Sequence, residues 1–338
     1  MKRIVYLLST ILTIVIGISF VQTAWAAADN NVGFDIQAVI PANQVDKTQS
    51  YFDLRVKPGT TQKIQIVVNN TSESEGQYEV SVNQAYTNKN GFIDYALKDV
   101  SLDKSVPFKL KDIVDYPTKI QVAPRKAEIV TLTLSIPVKK FNGQVLGGIQ
   151  VTKLGANKKE TIKNQYSYVI GLNLTESDSI VKRNLELVSV KPAVSFEKTS
   201  IVAKLKNPVA EAMGHLKYEG TVVSKDDNKT IKKIDYNTDM SLAPNSIYDF
   251  AIDWDGKPLE AGVYTLHLTV SDALKNVWNF DEDFTITRQE ASEINKVTID
   301  QVNNTKLPLW VYAVIGVLAA LLLFLILIMV FKRKNKRQ

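Results

Sequence analysis

Residues 129–136 read Ile-Val-Thr-Leu-Thr-Leu-Ser-Ile, and from Val130 onward apolar and hydroxyl side chains alternate without a break. Successive side chains on a β-strand point to opposite faces, so Val130, Leu132, Leu134 and Ile136 share one face and Thr131, Thr133 and Ser135 the other. Such a strand needs a second layer over its apolar face. Similar short alternating or β-branched segments recur at 33–40, 51–56, 63–69, 77–85, 119–122 and 147–153. They resume at 166–174, 185–191, 200–206, 216–223, 232–236, 247–252, 262–270 and 277–287. In the strand at 262–270, Val263, Leu266, Leu268 and Val270 are expected to supply the apolar groups. Amphipathic helical stretches are nearly missing. Turn chemistry punctuates the runs at Lys57-Pro58-Gly59, Asn90-Gly91, Ala123-Pro124-Arg125, Gly256-Lys257-Pro258 and Glu260-Ala261-Gly262. The pattern predicts an all-β chain with two tandem immunoglobulin-like β-sandwich domains, at 30–154 and 162–288. The polar stretch Gly155-Ala156-Asn157-Lys158-Lys159-Glu160 divides them. The halves have similar lengths and strand counts but do not align as sequence repeats.

The two ends predict the topology. Lys2 and Arg3, an apolar run over 4–21 and Ala24-Trp25-Ala26 have the layout of a secretory signal peptide, 1–26, cleaved after Ala26. Residues 309–331 are apolar throughout, and about 23 residues of helix measure about 35 Å, enough to cross a ~30 Å hydrocarbon core. Trp310 and Tyr312 sit at one end of this run, and Lys332, Arg333, Lys334, Lys336 and Arg337 follow the other. The expectation is a transmembrane helix at 308–331 with a basic cytoplasmic tail at 332–338, placing the ectodomain outside a cell membrane. Residues 289–307 are polar and free of aromatics, which suits a stalk.

Of the 41 Lys and Arg, two lie in the signal and five in the tail, leaving 34 against 35 Asp and Glu. An ectodomain so nearly neutral removes the electrostatic case for a nucleic-acid partner. The chain has no Cys, so its exported domains must be held by their cores alone. Export without cysteine leans towards a bacterial surface, Gram-positive more than Gram-negative.

Catalytic readings find little support. His215 and His267 are the two histidines, and neither has a second ligand at zinc spacing. G-x-S-x-G, P-loop and dinucleotide fingerprints are missing, and no metal or cofactor is expected. Paired carboxylates remain. Asp253-Trp254-Asp255-Gly256 offers a ring between two acids, for stacking a sugar, holding Ca²⁺ or acting on a polysaccharide, or else a tight turn with the Trp packed on the sheet. Asp281-Glu282-Asp283 reads as a solvated edge. Tyr86, Phe92 and Tyr95 flank the turn Asn88-Lys89-Asn90-Gly91. They serve either recognition, together with Asn88 and Asn90, or as a plug folded over the end of a sandwich. Asn70, Asn173, Asn228 and Asn303 head N-x-[ST] triplets and read as loop polars.

Several segments carry a resemblance. Val39-Ile40-Pro41-Ala42-Asn43-Gln44, the run at 50–59, Thr87-Asn88-Lys89-Asn90-Gly91-Phe92-Ile93-Asp94-Tyr95 and the run at 141–149 resemble the first domain of the WxL-interacting proteins of Gram-positive bacteria. Tyr166-Ser167-Tyr168-Val169-Ile170-Gly171-Leu172, the segment 240–250 and Trp278-Asn279-Phe280 resemble that family's second domain. The resemblance implies a peptidoglycan-binding first domain and a second domain that binds host or extracellular-matrix proteins. It also implies partnership with secreted WxL-domain proteins. It brings no residue with an assigned contact. The first expectation is therefore a membrane-anchored, non-enzymatic binding scaffold. The alternatives are a surface-assembly chaperone acting by strand pairing and a polysaccharide-acting enzyme built on Asp253 and Asp255.

Overall fold

The computed structural model describes residues 32–155, 165–303, 311–312, 314–318, 321 and 324. The expected signal peptide, the tail 332–338, residues 156–160 of the polar break and most of 308–331 lie outside the described residues. Val311, Tyr312, residues 314–318, Leu321 and Phe324 are helical. Among the described residues no helix is long and apolar enough to cross a membrane.

Strands dominate the remainder, and the chain gathers into two compact units that do not follow its linear order. The first unit draws on Met1–Asn83, Leu110–Val138 and Gly148–Leu172, and the second on Gln84–Lys109, Lys139–Gly147 and Asn173–Gln338. In the first unit, β1 (Phe34–Val39), β3 (Thr61–Asn70), β9 (Ala127–Ser135) and β7 (Val114–Asp115) form one sheet in that order. The second sheet runs β2 (Phe52–Arg55), β11 (Ser167–Thr175), β10 (Gln144–Lys153), β4 (Gly76–Gln84) and β8 (Lys119–Val122). The strand after the polar break thus lies between β2 and β10, and Lys153 N donates to Tyr166 O at 3.0 Å. The polar stretch connects neighbouring strands of one sheet.

The alternation at 129–136 is realised as read. Val130, Leu132, Leu134 and Ile136 are buried, and with Phe52, Leu54, Ile64, Ile66, Tyr78, Ile149 and Leu172 they close a sandwich-like core. Each such side chain contributes about 1.5–3 kcal/mol by leaving water. Asn70 is not a loop polar. It has no exposed surface, and its amide donates to Ser74 O, Val122 O and Ala123 O while its Oδ1 accepts from Ser72 N and Oγ. A buried amide is tolerated when its hydrogen-bonding capacity is filled in this way.

The second unit pairs β12 (Glu186–Ser195), β13 (Lys198–Lys206) and β16 (Ile247–Asp253) in one sheet. The other runs β15 (Thr230–Leu242), β14 (Met213–Ser224), β17 (Gly262–Ser271) and β18 (Val277–Ile286). Tyr218 and Phe250 stack at 4.5 Å in its core. On β17 the inward positions are Tyr264, Leu266, Leu268 and Val270. Val263 is exposed, because period two places it on the opposite face from Leu266.

The polar run read as a stalk folds as a helix over Arg288–Asn303. Thr287 and Glu290 cap it reciprocally: Glu290 N donates to Thr287 Oγ1 at 3.1 Å and Thr287 N to Glu290 Oε2 at 2.9 Å. Ala291 is buried in the core of the second unit, with Ile294 packed against it. Asn295 exchanges two hydrogen bonds with the backbone of Leu259, at 2.8 and 2.9 Å.

Elsewhere in this unit, Arg183 donates to Asp272 Oδ2 at 2.8 Å and to Ala212 O at 3.1 Å. The Asp272 side chain has no exposed surface, and it also accepts from Asn276 N and Nδ2. Burial pushes the Asp272 carboxyl up, but Arg183 and Asn276 outweigh it and hold the group below its ordinary value. A depressed folded-state pKa stabilises the fold above the unfolded value, near pH 4, and that stability is lost as pH falls through the folded value. Asp272→Asn is expected to lower stability at neutral pH by about 2 kcal/mol, since it strips Arg183 of its nearer carboxylate and leaves only Glu211, at 3.6 Å. Urea melts of the variant should also have a shallower decline below about pH 4. An unchanged acid slope would contradict this account.

Candidate functional site

The segment Gln84–Lys109 belongs to the second unit, and side-chain and backbone hydrogen bonds hold it there. Its two short strands, Tyr86–Thr87 (β5) and Ile93–Asp94 (β6), pair across the Asn88–Gly91 turn. Asn88 builds the turn: its Oδ1 accepts from Asn90 N at 3.0 Å and Phe92 N at 3.1 Å, and Gly91 N donates to Asn88 O at 3.0 Å. Gly91 has φ +78°, and a Cβ there would come within 2.9 Å of Met240 Sδ. Thr87 is buried, shares a 2.8 Å hydrogen bond with Ser246 Oγ and accepts from Ala243 N at 3.0 Å. Ile93 N donates to Ser241 Oγ at 3.0 Å. Burial works to raise the Asp94 carboxyl, yet donors from Asn88, Ala96 and Tyr95 hold it below its ordinary value. Burial and nearby Asp94 push the Tyr86 phenol up.

Tyr86 and Asn88 line a cavity of about 320 Å³ with Leu97, Ser101, Lys204 and Tyr248. Lys89, Lys204 and Asp249 are shared with a larger trough of about 630 Å³. That trough lies over β12 and β13, between Lys89 and Phe196, with Ser189, Lys191, Ala193 and Val202 along it. Phe92 and Asn90 are exposed, Tyr95 is half-buried, and none of the three lines either cavity. Sequence reading passed over Lys191, Phe196 and Lys204, because nothing in a strand pattern says which outward side chains border a depression.

Asp253, Trp254 and Asp255 stand apart from these cavities. Trp254 is 5% exposed and packs into the core of the second unit, so its ring offers no face to a sugar, while its backbone N–H donates to Thr199 O at 3.0 Å. Asp253 accepts from Lys198 Nζ at 2.8 Å and from Asp255 N at 2.8 Å, while Lys232 pairs with Asp255. Asp255 and Gly256 take left-handed φ values of 59° and 68°, as a tight turn requires. Lysine pairing outweighs burial and keeps the Asp253 carboxyl below its ordinary value, the opposite of what a general acid needs. Asp281 pairs with His267, and Asp283 with Lys225 and Thr265. Among the described residues no three His, Asp or Glu side chains come together to hold a metal.

In the first unit, the outer face of the β1-β3-β9 sheet is open. Gln37, Val67 and Ile129 form one cross-strand row and Val39, Gln65 and Thr131 the next, with Gln65 Nε2 donating to Thr131 Oγ1 at 3.2 Å. Asn69 donates to Asp35 at 3.1 Å, and Lys63 lies opposite Thr133. Amides and hydroxyls surround a small apolar centre in which Ile129 is 58% exposed. Such a face offers hydrogen bonds without a strong field.

Two family models match the chain: the WxL Interacting Protein peptidoglycan binding domain at residues 34–153, and the WxL Interacting Protein host binding domain at residues 157–296. No curated protein matches. Among solved structures, the Pseudomonas aeruginosa CupB2 chaperone is 13% identical over 65% of this chain and 91% of that one, with a TM-score of 0.28. The E. coli chaperone DraB is 12% identical over 75% and 98%, also at 0.28. A PapD-like domain of human CEP192 is 11% identical over 44% and 87%, at 0.26. Likenesses at these scores carry no structural argument.

The buried contact between Thr87 and Ser246 yields a direct expectation. Thr87→Val leaves the Ala243 N–H without its acceptor, so it should cost about 1–3 kcal/mol in a denaturant melt. Thr87→Ser, which keeps the hydroxyl, should cost less. A larger loss from Thr87→Ser than from Thr87→Val would mean that the methyl group, not the hydrogen bonds, holds the segment.

Proposed function

The chain belongs to the WxL-interacting protein family, and from that premise we propose a membrane-anchored surface scaffold whose first domain holds peptidoglycan and whose second domain holds partner proteins. Peptidoglycan binding and host-protein binding are the activities that describe the family's two domains. The partners of this chain are proposed to be the wall glycan, secreted WxL-domain proteins and a host extracellular-matrix protein. Each domain is taken as an immunoglobulin-like sandwich that works through its faces.

The observation that carries the reading is the open β1-β3-β9 face. A wall glycan is rich in hydroxyl and acetamido groups, and Gln37, Gln65, Asn69 and Thr131 present matching donors and acceptors around Val67 and Ile129. Non-catalytic action is supported by the lysine-paired state of Asp253 and Asp255 and the burial of Trp254. Anchoring is supported by the apolar run at 309–331 and the five cations that follow it. Export is supported by the signal-like order of charge, apolar run and Ala-Trp-Ala over 1–26.

Segments 84–109 and 139–147 belong with the second unit, so a test needs the full chain. The full chain in detergent micelles is expected to co-sediment with purified peptidoglycan. Gln65→Ala with Thr131→Ala should weaken that binding roughly thirty-fold, as losing two hydrogen bonds of about 1 kcal/mol each requires. A wild-type chain that stays in the supernatant would remove the wall-binding half of the proposal.

A further inference from the structure

The turn joining β12 to β13 consists of Phe196 and Glu197, whose φ angles are 50° and 61°. Two left-handed residues in a two-residue hairpin loop form the turn that Asn-Gly occupies with little strain. A bulky side chain at positive φ is an outlier, and such strain persists where the surrounding structure or function demands that residue. Packing does not account for it, since Phe196 is 55% exposed and Val194 beside it is exposed as well. Phe196 instead lines the 630 Å³ trough together with Ser189, Ala193 and Val202.

The charges along that trough are unevenly matched. Lys204 is held by Asp249 at 3.7 Å. Lys89 and Lys191 make no ion pair within 4.0 Å of a carboxylate among the described residues; Glu290 feels Lys191 only from farther off, and Glu197 and Asp249 are the two acids against three lysines in the lining. A ligand that satisfies this surface brings an apolar group to the ring and an acid to the lysines. An extended peptide does both from one face: Lys191 and Phe196 lie five residues apart along β12 and its turn, about 16 Å, and peptide side chains at i and i+4 point the same way about 13 Å apart.

We propose that this trough docks an extended segment of a partner protein, with an apolar side chain against Phe196 and a carboxylate at Lys89 and Lys191. The inference rests on the reading of the second domain as protein-binding and specifies the partner's chemistry. Phe196 is held in a strained turn because its exposed ring is the anchor, and exposed aromatic anchors dominate protein recognition.

The test pans the full chain, in detergent micelles, against a displayed library of random octapeptides. Enriched peptides are expected to carry an apolar residue four positions from Asp or Glu. The turn variant Phe196→Asn with Glu197→Gly should melt at a higher temperature than the parent, yet bind the selected peptide about tenfold more weakly. Lys89→Glu with Lys191→Glu should reverse the preference for acids. A library without acidic-apolar enrichment overturns the proposal, as does a turn variant that binds equally well. A turn variant that melts lower would show Phe196 to be a packing residue and overturn it too. Wall co-sedimentation by the same preparation is read separately, so failure here is distinguishable from failure of the broader function.

Discussion

Each unit depends on alternate residues of two opposed sheets turning their apolar side chains toward one another with no covalent link to help. The chain has no cysteine, so Ile64, Ile66, Leu132 and Leu134 in one unit, and Tyr218, Phe250, Leu266 and Leu268 in the other, must fix the register by burial. A slip of one residue would turn Leu132 outward and Thr131 inward, exchanging a whole face at once. That constraint assigns half of every strand to the core and releases the other half. The recognition proposed for the two units therefore draws on the outward set: Gln65 and Thr131 in the first unit, Lys191 and Lys204 in the second.

The strand pattern was legible because period two is a local signal that burial enforces. The long strands overlap the segments that alternation marked, most with ends moved by a few residues, while β15 runs on from the expected 232–236 to Leu242. What sequence could not supply was partnership. The Gly155-bounded polar stretch lies where the two family models meet, at 153 and 157, and it also joins β10 to β11 within one sheet, a pairing that only long-range contact decides. Asn70 looks like any loop asparagine until Val122 and Ala123, far along the chain, offer their carbonyls.

Other features carried a signal that was passed over. Thr287-Arg288-Gln289-Glu290 has the spacing of a capping box, and Ala291, Ile294 and Thr298 recur on one helical face, so the helix at 288–303 was readable beneath its polar composition. The candidate residues divided along physical lines. Asn88 and Gly91 act through turn geometry, which sequence encodes directly, and Tyr86 reaches a cavity only because Thr87 and Ile93 fasten the hairpin to the second unit. Of the two readings of Trp254, a sugar platform between two acids and a ring packed on the sheet beside a tight turn, the packed one is realised. Its burial follows from the odd-even order of β16, which sends Tyr248, Phe250, Ile252 and Trp254 inward together.

Folding the former stalk into a docked helix changes what anchoring would mean. A free segment of 18 residues spans up to about 60 Å, whereas residues 304–308, between helix and apolar run, span at most about 18 Å. Asn295 and its bonds to Leu259 tie the helix to the second unit, so little slack remains to be spent on rotation. On the proposed anchoring, that unit would sit against the outer surface of the bilayer and sample orientations only within the reach of a few residues. Partner capture would then draw on effective concentration in a thin layer, where a modest affinity at one trough suffices to retain a secreted protein. A long flexible stalk would have diluted that advantage.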